Sequence, residues 1–417
     1  MAVNDATTAT PAGRVRRRHV LYLSGFDPQG PAHYHALYAE QAALQARVNG
    51  VRIEVGPRLR VGANAAWDVT WQPGDDKEVV VETRYEFLRW DDIVRQHWPR
   101  GQARLLALTL ATTGRLVRNG SLWRMLQTSW PAFTALAAPA GLILGALLSA
   151  LAVGALGLWL ASASSPILAL GLSIAMLGGL GALAKRAQAK VQMAWLMRSA
   201  AVIQQQAKGH LPALEQRLDA FAAHLVAQAS SDAVDEVLVV GHSSGAMLAV
   251  SVVARALAQS PTLLQQHAAV SLLTLGQCIP VLSYQPEAKS FRGELARLRA
   301  ARDLVWIDMT APSDGCCFAL TDPTEVCLDG VAATARAPGG PKRLSPRFAQ
   351  GFSPEHYRSI RRDKYRCHFQ YLMATEVPAS YDYFSVTAGP THLAARFAQQ
   401  VSVIGFRDFQ CFGGPQR

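Results

Sequence analysis

A Gly-x-Ser-x-Gly pattern, GHSSG, occupies residues 241–245 and places a serine where it could act as a nucleophile. The β-branched run DEVLVVG precedes it and a small-residue helical pattern follows, so Ser243 falls at a strand-to-helix turn. Such a turn imposes strained backbone angles on the serine, and Gly241 and Gly245 remove side chains that would clash there. We expect His242 to pack beside the serine. The pattern favours a nucleophile over a purely structural glycine turn.

The strand, turn and helix around Ser243 resemble the nucleophile elbow of the α/β-hydrolase superfamily, in its lipase and esterase branch. The resemblance covers nearly all of residues 19–417 except one apolar insertion, and only the GHSSG motif is highly specific. It implies a catalytic acid and then a histidine, in that chain order, downstream of the serine. Both partners therefore have to be found after residue 245.

Three aspartates in DLVWIDMTAPSDGCCFALTDP are candidates for the acid: Asp308, Asp314 and Asp322. Asp308 lies inside the apolar run, where any partner would have to be buried with it. Asp314 lies in the loop just past the strand, and loops at the carboxyl ends of parallel strands build the sites of such sheets. A tryptophan-containing strand followed by a short loop with Asp also resembles the acid segment of lipase-like hydrolases. We predict Asp314 as the acid; a solvated loop carboxylate is the alternative.

Three histidines follow the acid: His356, His368 and His392. His368 lies in KYRCHFQYLMA, between basic residues and an apolar-aromatic run, and its H-x-x-Y pattern resembles the histidine segment of some bacterial lipase-like proteins. His392 lies on a Gly-Pro loop before a helical pattern and is the alternative base. We predict His368 as the base.

A triad of Ser243, Asp314 and His368 would carry out acyl transfer, with the histidine taking the serine proton and the aspartate holding the imidazole tautomer. The oxyanion needs two backbone donors. The resemblance implies the N–H of Ser244 and a second N–H, from Phe26 or Asp27, in the loop SGFDPQGP after the first strand. This loop departs from the HGGG form, and its Gly and Pro residues suit a structural turn equally well.

Residues 125–184 contain no charged side chain. Two stretches, 137–160 and 166–184, each approach the roughly 20 apolar residues that span a bilayer. We therefore predict a transmembrane helical hairpin at 131–185, with the lipid bilayer as a partner. Basic residues flank both ends, which predicts a multi-pass protein of the inner (cytoplasmic) membrane with its catalytic domain and both termini in the cytoplasm. The alternative is a pair of buried helices in a large soluble core.

Small residues recur on the first predicted span at Gly141, Gly145, Ser149 and Ala152. Small residues at such spacing let helices approach closely in a membrane. This face predicts either packing between the two spans or a homo-oligomer through the membrane helices.

The net charge of +11 suits an anionic surface of either nucleic acid or membrane. No basic helix interleaved with aromatics is present, so we expect no nucleic-acid partner. The six cysteines lack a CxxC spacing and indicate reduced thiols; Cys316 and Cys317, just after Asp314, read as packed small side chains or as a redox liability. With no phosphate-loop or metal-ligand motif, the prediction is no cofactor and no metal.

Strand and helix patterns alternate on both sides of the apolar block, which predicts an α/β fold: a mostly parallel sheet with helices on both faces, interrupted by the hairpin. The predicted organisation is a disordered tail (1–13), the first part of a hydrolase-like domain (14–130), the hairpin (131–185), and the second part with the elbow (186–417). The predicted function is a membrane-anchored serine hydrolase acting on a carboxylic ester or thioester, with lipid-like esters favoured by the anchor. The rivals are an inactive hydrolase-fold interaction or regulatory protein and a transferase of the same fold.

Overall fold

The computed structural model describes residues 14–74, 79–98, 101–163, 166–191, 193–325 and 339–403. The predicted tail at 1–13 lies outside these residues, as do Cys327 and Cys411. The strands within the described residues are β1 (Arg17–Leu23), β2 (Val51–Val55), β3 (Leu59–Val61), β4 (Asn64–Pro73), β5 (Val81–Phe87), β6 (Glu236–His242), β7 (Ala269–Leu275), β8 (Val305–Met309) and β9 (Lys342–Leu344).

The strands form one mixed sheet in the order β2-β4-β5-β1-β6-β7-β8-β9, with β3 paired to β4. From β5 to β9 every neighbouring pair is parallel, whereas β2, β3 and β5 each pair antiparallel with β4. The predicted α/β class is confirmed, and the sheet is mixed because an antiparallel meander extends one side of a parallel array. Within this meander, β4 and β5 pair over seven residues, from Ala65 opposite Phe87 to Trp71 opposite Val81.

Helices connect and cover these strands. They are α1 (Pro31–Asn49), α2 (Asp91–Gln96), α3 (Gln102–Arg118), α4 (Ser121–Thr128), α5 (Trp130–Ala163), α6 (Pro166–Val191), α7 (Met193–Ala207), α8 (Pro212–Ala229), α9 (Gly245–Gln259), α10 (Ile279–Ser283), α11 (Lys289–Ala300), α12 (Pro354–Arg362), α13 (Lys364–Phe369), α14 (Tyr383–Ala388) and α15 (Leu393–Arg396). Short 3₁₀ turns lie at Leu263–Gln265, Phe348–Gly351 and Gln370–Leu372.

The central strands are buried along their whole length. All seven residues of β6 are buried, as are six of the seven in β1 and in β7. Such continuous apolar runs, without alternation, are typical of parallel strands covered on both faces. Because β1, β6, β7 and β8 run in the same direction, the loops after their carboxyl ends gather at one edge of the sheet.

The chain divides into two compact units, residues 1–97 with 205–417, and residues 98–204. The first unit contains the whole sheet. The second contains α3 to α6 and most of α7, so the inserted unit begins and ends outside the predicted hairpin boundaries.

Within the second unit, α5 provides one stretch, Trp130–Ser162, that is long and apolar enough to cross a membrane. In α6 the corresponding apolar stretch among the described residues is the shorter Leu170–Gly179. The two helices contact each other, and α5 packs through a face that includes Ala132, Leu136 and Ala140. The small-residue face is a different one, because Gly141, Gly145, Ser149 and Ala152 are exposed.

A methyl group at Gly245 should destabilise the first unit. A Cβ there would lie 2.2 Å from the Leu23 carbonyl oxygen and 2.5 Å from that of Ser24, and backbone atoms of a buried strand cannot move aside. Gly245→Ala should cost about 3 kcal/mol of stability and lower the apparent unfolding temperature by several degrees. Gly293→Ala is the control, because Gly293 lies inside α11 with nothing near its added Cβ, and it should gain about 0.5–1 kcal/mol. Equal unfolding temperatures for the two variants would contradict the close packing at Gly245.

Candidate active site

Ser243 lies on the tight turn between β6 and α9. Its φ of 59° is positive, a region that residues other than glycine seldom occupy, so the turn holds the serine in a strained conformation. The Ser243 N–H donates to the Leu275 carbonyl oxygen at 2.8 Å, which fixes the turn to the end of β7. An added Cβ at Gly241 would lie 2.6 Å from the Gly245 carbonyl oxygen, so both glycines of the motif are required by close backbone approach.

The loop after β1 lies directly against the serine. An added Cβ at Gly25 would lie 3.0 Å from the Ser243 Cβ and 3.4 Å from its Oγ. The Phe26 N–H donates to the Ser244 Oγ at 2.7 Å, while the Asp27 N–H donates to the Gly25 carbonyl oxygen at 2.8 Å. The loop predicted to supply an oxyanion donor is therefore in place, and its two candidate N–H groups are engaged within the protein.

Asp314 and His368 form a buried hydrogen-bonded pair. Asp314 lies in the loop after β8 and His368 near the end of α13; the His368 Nδ1 donates to the Asp314 Oδ2 at 2.8 Å. Both side chains are at most 1% exposed. With the proton on Nδ1, the Nε2 of a neutral imidazole carries the lone pair that a general base needs.

Two further donors hold the Asp314 carboxylate. The Tyr371 hydroxyl donates to Oδ2 at 3.2 Å, and the Cys316 N–H donates to Oδ1 at 2.9 Å. Burial alone would raise the pKa of Asp314, but the positive charge and hydrogen bond of His368, the Cys316 N–H and the Tyr371 hydroxyl outweigh it and lower the pKa. Asp314 is therefore held as a carboxylate, the form that stabilises an imidazolium.

His242 links the elbow to the segment that carries His368. Its Nε2 donates to the His368 carbonyl oxygen at 2.9 Å, and the two rings lie 5.0 Å apart. Burial, followed by the charge of His368, lowers the pKa of His242 to about 3, so this ring stays neutral. His242 is buried, and its hydrogen bond joins the residue next to Ser243 in the chain to the segment that carries His368.

Cys278 is a neighbour that the sequence did not single out. It follows β7 and lies near the candidate serine, because the Ser243 side chain is among the groups that shift the pKa of its thiol. Burial, then the Asp314 charge, raises the pKa of Cys278 to about 12, and burial likewise raises the pKa of Cys316 and Cys317 well above the usual thiol value. These groups remain protonated thiols at neutral pH, so none of them is present as the reactive thiolate.

The other candidates from the sequence lie elsewhere. The His392 Nδ1 lies 3.9 Å from Glu236, at the amino end of β6, whereas Ser243 follows its carboxyl end. Asp308 is buried within β8 and accepts a hydrogen bond from the Thr274 hydroxyl. Two more hold other partners: Asp322 caps Thr324, and His356 pairs with Glu376.

Tyr371 and Cys278 are the site residues that sequence reasoning missed. Tyr371 was visible as the last residue of the H-x-x-Y pattern, but nothing in the pattern shows that its hydroxyl reaches Asp314. Cys278 ends the run LGQC after a strand, a place where a side chain can reach the site edge of the sheet. The location of Cys278 just after a predicted parallel strand is the only sequence signal that could have marked it as a site residue.

No family model, curated protein or solved structure matches this chain. The features of the molecule that bear on function are therefore the geometry of Ser243, His368 and Asp314 and the exposed surface of α5.

Proposed function

We propose that the protein is a serine hydrolase of the α/β-hydrolase type that cleaves a carboxylic ester or thioester with Ser243, His368 and Asp314. The observation that carries this proposal is the buried His368–Asp314 pair, hydrogen-bonded at 2.8 Å, at the same sheet edge as a serine with a φ of 59°. Nucleophilic acyl transfer requires a serine hydroxyl that projects from the sheet, which the strained turn favours, and a histidine whose orientation is fixed by a carboxylate.

In the proposed reaction, the Nε2 of His368 takes the proton of Ser243 as its Oγ attacks the acyl carbonyl carbon. The imidazolium is stabilised by Asp314, and the developing oxyanion takes hydrogen bonds from the backbone N–H of Ser244 and of the loop at Phe26. His368 then gives its proton to the leaving alcohol or thiol. Water, deprotonated by the same imidazole, hydrolyses the acyl-enzyme and restores the serine.

The Phe26 N–H has to be released from the Ser244 hydroxyl for this role. A hydroxyl is a weaker acceptor than an oxyanion, so the N–H gains a charge-assisted hydrogen bond when the tetrahedral intermediate forms. The hydrogen bond from the Phe26 N–H to the oxyanion forms only in the transition state, and interactions of this type raise kcat.

We also propose that the protein is held at the cytoplasmic face of a membrane by the helices around α5, with both termini in the cytoplasm. The support is the apolar stretch Trp130–Ser162, most of whose leucines are exposed, and the basic residues that flank residues 125–184. A single described helix passes the length test, so the second span of the hairpin is part of the proposal. An anchor of this kind, with the +11 charge near anionic headgroups, favours lipid-like esters as substrates.

The test is covalent labelling of the full chain in membranes with a fluorophosphonate probe, which reacts with activated serines. The wild-type protein should label with one equivalent, and Ser243→Ala should not label although it keeps the wild-type unfolding temperature. Ser260→Ala, at the far end of α9, is the matched control and should label fully. Absence of labelling in folded wild-type protein, or equal labelling of Ser243→Ala, would refute the hydrolase and leave a non-catalytic protein of this fold.

A further inference from the structure

A second cluster of titratable side chains lies away from the candidate active site. His19 of β1, Glu86 of β5 and His224 of α8 bring their ligand atoms within 4.8 Å of one another. The Nε2 atoms of both histidines lie 2.9 Å from the same Glu86 oxygen, Oε2. The Glu86 side chain is 1% exposed, so this carboxylate faces the two imidazoles and not solvent.

The hydrogen bonds around His19 and Glu86 resemble those that orient metal-binding side chains in proteins. The His19 Nδ1 donates to the Gln228 Oε1 at 3.0 Å, and the Asn64 amide donates to the second Glu86 oxygen at 2.7 Å. A histidine that binds metal through one ring nitrogen almost always donates its other N–H to such an acceptor. With its proton on Nδ1, the His19 Nε2 would direct a lone pair at the carboxylate, so an ion between these two atoms could be bound by both.

We propose that His19, Glu86 and His224 bind a divalent transition-metal ion of the zinc class. Two imidazole nitrogens and one carboxylate oxygen suit zinc, whereas calcium and magnesium require oxygen ligands. Tetrahedral zinc would separate ligand atoms by about 3.3 Å, so the observed 2.9 Å has to open by about 0.4 Å. His224 is 27% exposed and lies on the side from which an ion and a fourth, water ligand can enter.

The ion would join α8 to the centre of the sheet, since its ligands come from one helix and two adjacent strands. His19 is in register with Val237, and Ser243 lies six residues further along β6, which is about 20 Å of strand. The proposed metal is therefore structural, and the inference is independent of the proposed hydrolase activity.

A second group of three side chains with metal-ligand chemistry, Asp314, Cys316 and His368, lies in the candidate active site. There the His368 Nδ1 is already bonded to Asp314, and burial raises the pKa of the Cys316 thiol, so binding would cost both a hydrogen bond and a proton. A zinc titration must therefore include variants of each group, so that the group that binds the ion can be identified.

The experiment uses the full chain in detergent, stripped of metal with a chelator and titrated with ZnCl₂ by calorimetry and with CoCl₂ by visible absorption. We expect one equivalent of zinc with a Kd of ~1 µM or tighter, a rise in unfolding temperature, and a tetrahedral cobalt spectrum. His224→Gln keeps a donor to Glu86 but loses a metal ligand, and should weaken binding by at least about 100-fold. His224→Cys restores a ligand and should restore binding, and Gln228→Ala should weaken it by about 10–100-fold.

Two controls complete the design. His267→Ala removes an exposed histidine of the same unit and should bind zinc as the wild type does. Cys316→Ser removes a ligand of the other group and should also leave binding unchanged. The proposal is overturned if the wild type does not bind zinc below millimolar concentration, if His224→Gln binds equally well, or if Cys316→Ser is the variant that loses the metal.

Discussion

Asp314→Asn should lower kcat for ester hydrolysis by about 10³–10⁴-fold in a protein that still folds. The carboxylate of Asp314 accepts from three donors, the His368 Nδ1–H, the Tyr371 hydroxyl and the Cys316 N–H. In the Asn side chain an NH₂ group replaces one accepting oxygen. In one orientation of this amide, the NH₂ group faces the Cys316 N–H, so two donors oppose each other. The other turns the NH₂ towards His368 and forces its proton onto Nε2, where it blocks the uptake of the serine proton.

The measurement is kcat on a short-chain p-nitrophenyl ester, with the rate of fluorophosphonate labelling as a second readout. Labelling of Asp314→Asn should be slowed in proportion to kcat and still go to completion, because the nucleophile is intact. Asp308→Asn is the matched control. Asp308 is also buried at the end of a β8 segment, but burial raises its pKa to about 7 and its partner is Thr274, so its amide should keep nearly full activity.

Loss of activity confined to Asp308→Asn, with Asp314→Asn unaffected, would reject the assigned acid while leaving Ser243 in place. Equal and large losses in both variants would indicate that β8 and the loop after it tolerate no change, and lowered unfolding temperatures of both variants would show it.

The elbow and the central strands were predictable because local chemistry dictates them. A glycine-flanked serine between a β-branched run and a small-residue helix has few ways to fold, and the observed φ of Ser243 and the contacts of Gly241 and Gly245 follow from that constraint. The loop position of Asp314 was predictable for a related reason, since a carboxylate just past a parallel strand falls at the site edge of the sheet.

Other parts of the site depend on contacts distant in sequence. The choice of His368 over His392 is decided by where α13 and α15 pack, and the bond from His242 to the His368 carbonyl joins residues 126 positions apart. The Tyr371 hydroxyl is used twice, as an acceptor from the Ala311 N–H and as a donor to Asp314, which no local pattern reveals.

The fold shows the same division. Continuous apolar runs predicted the parallel strands, whereas the register by which β2 and β3 pair with β4 depends on contacts between separate segments that no local pattern specifies. The inserted unit begins at residue 98 and ends at 204, well outside the uncharged block, because amphipathic α3, α4 and α7 belong to it. In sequence these helices look like those of the unit that contains the sheet.

Two arginines in the middle of α5 should release the protein from membranes. Leu148 and Leu151 are 67% and 70% exposed near the centre of Trp130–Ser162, so each contacts lipid if this helix spans the bilayer. An arginine at the centre of a spanning helix costs about 2.5–3.5 kcal/mol of insertion free energy, so the double variant Leu148→Arg/Leu151→Arg loses about 5–7 kcal/mol. A loss of that size should prevent stable insertion of α5, and most of the protein should move from the membrane pellet to the soluble or aggregated fraction.

The control is a Leu→Arg substitution at an exposed position in the first unit, outside α5. Leu59 is 42% exposed on the edge strand β3, and Leu59→Arg should leave the protein in the membrane fraction after carbonate washing. Carbonate removes proteins that are held by charge alone, so this wash also separates a spanning α5 from attraction of the +11 chain to anionic headgroups. If the wild type leaves the membrane in carbonate, α5 does not span it. If the double arginine variant stays with the pellet in carbonate, α5 is not the anchoring helix, and the lipid-facing role passes to α6.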